Sequence, residues 1–256
     1  MTSCHARYKP QSLFIIDDDT KDKFTFLTHN TEPWSKIIQY WIDTRIAREN
    51  TMQKLNMFEI LETYKIICQP LGWQLAEEDF KMMYPGKSKL LLTSWPSLAP
   101  TLWNIILENK PKALEGEYQG TSSDLKLFHS LMFLLPPLNR RIGHKTQRSS
   151  IIEAQEAFIH SLSSEDNIKD MLEEKQKEAK ISGKSMQPII IIKDDKYFVC
   201  LNHAIYEVLS LVKAFDILFK ISMAFNLEYS TENKNILLFL QKYVFEISTP
   251  YDKVRK

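Results

Sequence analysis

The run Pro188-Ile189-Ile190-Ile191-Ile192 constrains this chain more than any other stretch. Successive β-branched side chains are stiff at χ1 and suit a pleated surface better than a helix. A proline precedes the run and the polar tetrad Lys193-Asp194-Asp195-Lys196 follows it. It reads as a buried β-strand with the tetrad as its turn. Tyr197–Leu201 then reads as a second strand, Asn202-His203 as a tight turn and Ala204–Val208 as a third strand. Connections this short join antiparallel neighbours, so a three-stranded meander is expected at about 188–208.

Such a sheet has to be covered. Ser210 caps a helix at about 210–226 that turns Leu211, Ala214, Phe215, Leu218, Phe219, Ser222 and Phe225 to one side, and Asn226 ends it. A last helix, about 231–245, would bury Ile236, Phe239, Leu240, Tyr243 and Val244. These two helices are the expected cover.

The chain before the strands reads as helical. Six glycines leave little material for tight hairpins. Thr31-Glu32-Pro33 opens a helix to about Arg48. Trp34, Ile37, Ile38, Trp41, Ile42 and Ile46 form its stripe, with Lys36, Asp43, Arg45 and Arg48 outward. A second helix at about 57–67 would turn Phe58, Leu61 and Tyr64 inward, and a short third one, about 75–83, stops at Tyr84-Pro85-Gly86. Helical pieces at 87–95 and 98–109 are kept apart by Pro96 and Pro100, which lack the N–H and clash one turn back. Residues 111–120 read as loop. Ser122 or Ser123 caps an apolar helix over 125–135, ended by Pro136-Pro137. Ser150 and Glu153 form a capping box for a helix to about Leu162. Ser164 starts another to about Lys180, on which Ile168, Met171 and Leu172 make a thin stripe that fits a partner helix or its own domain.

The fold class expected is α+β, mainly helical. Residues 1–30 form a partly ordered segment with a short strand at 13–16, and 31–138 a helical region. Residues 139–148 form a basic linker and 149–250 an α+β region, with one continuous domain as the alternative. At 256 residues the chain can bury roughly 70–75% of its unfolded surface without a staple.

Composition narrows the function. The formal net charge is +1, so no global field steers the chain to nucleic acid or an anionic membrane. Neither GxGxxG nor GxxxxGK[ST] occurs, which removes the glycine-rich phosphate loops. Cys4, Cys68 and Cys200 are widely spaced, with no CxxC for zinc. An odd cysteine count without an N-terminal signal segment suggests the reducing cytoplasm or nucleus. No window reaches ~18 apolar residues, and no membrane partner is expected.

Few candidate sites emerge. Asp17-Asp18-Asp19-Thr20 follows an apolar tetrad, as metal-dependent phosphotransfer sites do, but Thr20 comes one residue early for the Asp-x-Asp-x-Thr spacing; it reads as a solvated acidic turn. His5, His29, His129, His144, His160 and His203 include no i,i+4 pair and no HExxH. Cys68, Cys200 and His129 read as core groups. Trp34, Tyr40 and Trp41 could anchor a partner but share the aliphatic face of their helix. Arg140, Arg141, Lys145 and Arg148, with His144, form the compact basic patch that could meet phosphate groups or serve as a nuclear-localisation signal.

Several ordered motifs carry a resemblance. They are Leu209-x-x-x-Lys213-Ala214-Phe215-Asp216-x-x-Phe219-Lys220, Phe225-Asn226-Leu227-x-Tyr229 and Phe239-Leu240-Gln241 with Tyr243. Upstream stand Pro70-Leu71-Gly72, Asp79-Phe80, Tyr84-Pro85 and Leu134-Leu135-Pro136-Pro137. Over roughly residues 33–250 the chain resembles the C-terminal region of proteins akin to sterile alpha motif domain-containing protein 3. The resemblance implies no assigned activity and transfers no functional residue. Residues 1–30 are too short for a sterile alpha motif, so no adaptor role follows from one.

The expected function is a non-enzymatic, intracellular protein-interaction module with no cofactor, metal or catalytic residue. The alternative is a nucleic-acid- or phosphate-binding protein that uses Arg140, Arg141, Lys145 and Arg148. The third is an enzyme whose catalytic residues are scattered along the chain.

Overall fold

The computed structural model describes residues 17–110, 122–142, 145–181 and 187–249, and the fold is α+β, mainly helical. The strand expected at 13–16 lies outside these residues, as does the loop at 111–120. The acidic run is a helix start rather than a free turn. Asp17 accepts a hydrogen bond from the Thr20 amide at 2.8 Å and caps α1 (Asp18–His29), with Asp18 and Asp19 in the first turn. Carboxylates there meet the unpaired amides and positive end of the helix.

The helix expected over 31–48 is two helices. α2 (Trp34–Asp43) ends where the Thr44 hydroxyl donates to the Tyr40 carbonyl at 2.7 Å, and α3 (Arg45–Met52) restarts in a new phase. The change turns Ala47 and Arg48 inward and leaves Ile46 46% exposed. α4 (Met57–Thr63) is capped by a reciprocal Asn56–Glu59 box and gives way to a 3-10 turn, Lys65–Cys68. Phe58 stands outside, 61% exposed. α5 (Trp73–Met83) follows.

α6 (Leu90–Asn109) runs unbroken through Pro96 and Pro100. The prolines are four residues apart, and Leu92, Pro96 and Pro100 form one exposed stripe. The carbonyls they cannot serve, those of Leu92 and Pro96, therefore sit on the solvent side, where a gentle bend costs little. Leu91, Trp95, Leu102 and Ile106 face the core. By length and apolarity α6 meets the criterion for a membrane-crossing helix, alone among the described residues. α7 (Ser123–Leu134) packs Leu127, Phe128, Leu131 and Met132 against its neighbours.

The expected linker is a two-stranded antiparallel ribbon, β1 (Asn139–Ile142) and β2 (Lys145–Arg148). Its base is tied down, because the Leu138 amide donates to the Thr231 carbonyl and Asn235 to that of Pro136. α8 (Ile151–Phe158) begins with the expected box but stops four residues early. Ile159–Ser161 becomes β3, parallel to β4 (Ile189–Lys193), with Ile159 opposite Ile190. An edge strand leaves a row of unpaired backbone groups, and pairing with β3 satisfies part of that row. The sheet thus has four strands, ordered β3-β4-β5-β6, with β5 (Lys196–Leu201) and β6 (Ala204–Val208) antiparallel. Asp194 and Asp195 (φ 50° and 58°) form the first hairpin turn and Asn202 (φ 52°) enters the second, the left-handed backbone these residue types tolerate.

Strand residues alternate between two cores. Ile190, Val199, Leu201 and Tyr206 join the main core, under α10 (Leu211–Ala224). Ile189, Ile191 and Cys200 meet Leu172 on α9 (Ile168–Ile181), with Ile168 and Met171 alongside. The thin stripe of α9 therefore serves its own sheet. The final helix does not cover the strands: α11 (Lys234–Phe239) runs into a π turn, Leu240–Val244, which packs on α6. The wider turn shifts the phase. Gln241 is buried and Tyr243 is 75% exposed.

α10 is the axis of the fold. Twelve of its 14 residues are buried. Phe215 lies between Phe128 and Phe158, and Phe219 packs on Phe80 and Phe245. One continuous core thus runs from Leu27 to Ile247. α10 closes at Asn226 (φ 51°), with the Leu227 amide on the Ser222 carbonyl (2.9 Å) and the Asn226 amide on that of Met223 (3.2 Å). That pairing satisfies carbonyls a helix end would otherwise leave open.

Candidate functional site

The residues picked from sequence do not converge. In the ribbon Asn139 pairs with Arg148, Arg140 with Gln147, Arg141 with Thr146 and Ile142 with Lys145. Strand alternation then places positions 141 and 148 on one face and 140 and 145 on the other. Arg148 also donates from Nε to the Pro137 carbonyl at 3.0 Å. His144 lies outside the described residues. Trp41 is fully buried, its indole N–H on the Leu75 carbonyl, and Trp34 donates to Gln74, so the aromatic stripe belongs to the core.

The better candidate centres on Arg48, which the sequence reading left on a polar face. Arg48 is 1% exposed. Its guanidinium lies 3.3 Å from the Trp41 ring centroid, stacked as a planar cation can be. It donates to both carboxylate oxygens of Asp79 (2.8 and 3.2 Å), to the Trp41 carbonyl (2.6 Å) and to the Thr44 hydroxyl (3.2 Å). Asp79 is 4% exposed. The break at Thr44 brings Arg48 here. Asp79 arrives on the α5 stripe shared by Leu75, Ala76 and Phe80. That acid on an apolar stripe is the one legible signal of a buried partner, but the partner is 31 residues away on a helix of different phase.

This ion pair forms one wall of a cavity of ≈ 70 Å³ between α3, α4, the end of α5 and the end of α10. The space exceeds the roughly 10–15 Å³ needed to admit one water and suits the end of one apolar side chain. Met52, Met57, Met83 and Met223 line it, four of the nine methionines in the chain, with Leu55, Ile60, Phe225 and Leu227. Unbranched thioethers adapt to the shape of what they meet. The charges in the wall are matched: Arg48 with Asp79, and Arg45 with Glu49 at 3.4 Å. No cysteine, serine or histidine lines it. Gln53, Tyr84, Asn226 and Thr249 add uncharged polar groups, and the arrangement offers a mainly apolar, charge-neutral socket.

A second buried charge cluster sits across α5 and α10. Lys213 and Lys220 both donate to Glu77 Oε1 (3.0 and 2.6 Å) and to Asp216 Oδ2 (3.0 and 2.8 Å). Lys220 and Asp216 are fully buried, and the Lys213 ammonium lies 5.0 Å from the Trp73 ring centroid. Burial pushes Glu77 up, yet the ammoniums of Lys220 and Lys213 together hold it below the usual carboxylate range. Two cations and two anions cancel, so this cluster fixes α5 on α10 instead of attracting a charged ligand. Among the described residues Asp216 Oδ1 has no hydrogen-bond partner. No group of three or more metal-ligating side chains occurs among them either.

Burial pushes the Cys200 thiol up to about 12 and holds it inert. His129 is pushed down by burial. Cys68 is half-buried and packs against the main core, and its sulfur also lies 3.2 Å from His203 Nε2, 135 residues on.

No family model matches the sequence, and neither a curated protein nor a solved structure matches it.

Proposed function

We propose that this chain is a non-enzymatic, intracellular protein-interaction module that seats an apolar anchor side chain of a partner peptide in the methionine cavity. The observation that carries this reading is the pairing of every charge in the cavity wall, which leaves methionine and aliphatic surface, beside the uncharged Gln53, Tyr84, Asn226 and Thr249, as the available contact. A phosphate or carboxylate would have to break the Arg48–Asp79 pair to bind there; an uncharged leucine, methionine or phenylalanine would not. Kinship with the C-terminal region of sterile alpha motif domain-containing protein 3-like proteins belongs to this proposal. The nucleic-acid reading has less support, because a formal net charge of +1 gives no global field toward phosphates.

The test uses protein labelled with ¹³C at the methionine methyls and peptides selected from a displayed random library. Selected peptides should share one apolar anchor. Their binding should shift the methyls of Met52, Met57, Met83 and Met223 and leave those of Met132 and Met171 in place. Binding should fall on Met57→Glu, at the rim. Peptides that bind without moving any cavity methyl would sink the reading.

A further inference from the structure

The Cys68 sulfur and His203 Nε2 are 3.2 Å apart, half-buried and exposed respectively, and neither lines the methionine cavity. Their positions are fixed from both sides. Cys68 closes the 3-10 turn Lys65–Cys68, and the buried Tyr206 hydroxyl donates to the Ile67 carbonyl at 2.6 Å, which binds that turn to β6. Gly72 lies so close that a Cβ there would come within 1.9 Å of the Ile67 oxygen. His203 is delivered by the β5–β6 turn behind Asn202. With the ring proton on Nδ1, the thiol donates to Nε2, the alignment in which imidazole can take a proton from sulfur.

We propose that Cys68 and His203 form a thiol-exchange site at which the Cys68 sulfur takes up half of a low-molecular-weight disulfide. The sulfur attacks one sulfur of the disulfide as its proton passes to His203 Nε2. The new S–S bond forms as the old one breaks, and the departing thiolate takes the proton back from the imidazolium. Cys68 is oxidised, one half of the disulfide is reduced, and no other reactant is consumed. Burial, with the Glu62 carboxylate as the smaller cause, pushes the thiol up to about 11, so the free thiolate is scarce at neutral pH and the base is required at the moment of attack. The exchange consumes one equivalent of disulfide per Cys68 thiol. It stands independently of the methionine cavity.

The experiment follows glutathionylation of Cys68 by oxidised glutathione in the full chain carrying Cys4→Ser, with mass spectrometry resolving the Cys68 and Cys200 peptides. Cys200, fully buried, should stay unlabelled. His203→Gln keeps bulk and a hydrogen bond but cannot act as the base, and His203→Ala uncovers the sulfur. Both should slow the reaction, on the order of 10²-fold for loss of a general base. If His203 only shields Cys68, removing it leaves the rate unchanged or raises it. A rate in either variant that equals or exceeds the parent's overturns the proposal.

Discussion

Replacing Arg48 by methionine is the sharpest probe of the cavity wall. Methionine keeps much of the volume and the contact with Trp41 but removes the charge. Asp79, 4% exposed, would lose both its hydrogen bonds from the guanidinium. Removing one partner of a buried pair costs about 3–5 kcal/mol, because the other charge is left uncompensated. For a chain of this size that is about 6–20 °C in Tm, at about 2–4 °C per kcal/mol. Asp79→Leu should cost a similar amount, since Arg48 would retain only the Trp41 carbonyl and the Thr44 hydroxyl. The double variant Arg48→Met/Asp79→Leu removes both charges and should recover to within about 1–2 kcal/mol of the parent. Urea unfolding followed by tryptophan fluorescence and far-UV circular dichroism measures all four proteins, with equal m-values as the check on two-state behaviour. If the two single losses add in the double variant to within about 0.5 kcal/mol, the charges are not coupled and the pairing argument for the cavity fails.

Glu77 sets an acid limb. A carboxyl held below its ordinary value of 4.5 stabilises the fold above that value and loses the contribution as pH falls through its folded value. Melting temperature should therefore decline below pH 4.5, and Glu77→Gln should flatten that limb while lowering stability at neutral pH. In α6, Pro96→Ala and Pro100→Ala each restore an amide on an exposed stripe and should raise stability by about 1–2 kcal/mol; a lower urea midpoint would mean that the fold needs the proline rings at these positions. Tyr206→Phe orphans the buried Ile67 carbonyl and should cost about 1–3 kcal/mol by urea titration. A neutral result would show that this hydroxyl does not hold the Cys68 turn.

Much of the fold was legible where the signal is local. The isoleucine run, the two polar hairpin turns, the Ser150–Glu153 box and the Ser210 cap are each decided within a few residues, and the structure has them all. The misses share a cause. Residues 159–161 carry a helical pattern, but the open edge of β4 took them as a strand. The prolines of α6 are helix breakers in isolation, and their four-residue spacing on a solvent face let the helix run through them at a reduced penalty. The Thr44 break and the π turn after α11 each rotated a stripe, which exchanged Ile46 for Arg48 and Tyr243 for Gln241. A phase shift inside a helix leaves no mark on composition.

The candidate sites divide the same way. The basic residues at 140–148 are conspicuous because they are neighbours in sequence, and the structure sets their positions alternately along a two-stranded ribbon. Arg48 with Asp79, Cys68 with His203, and Glu77 with Lys213 and Lys220 are 31, 135, 136 and 143 residues apart. By itself the sequence determined most of the elements and the class of fold, because capping, turn chemistry and periodicity are short-range interactions that a string of residues displays. Only the tertiary structure decided which charges are paired, which methionines share a cavity and which thiol meets an imidazole, because those contacts depend on helix phase and on the packing of α5 and the sheet around α10.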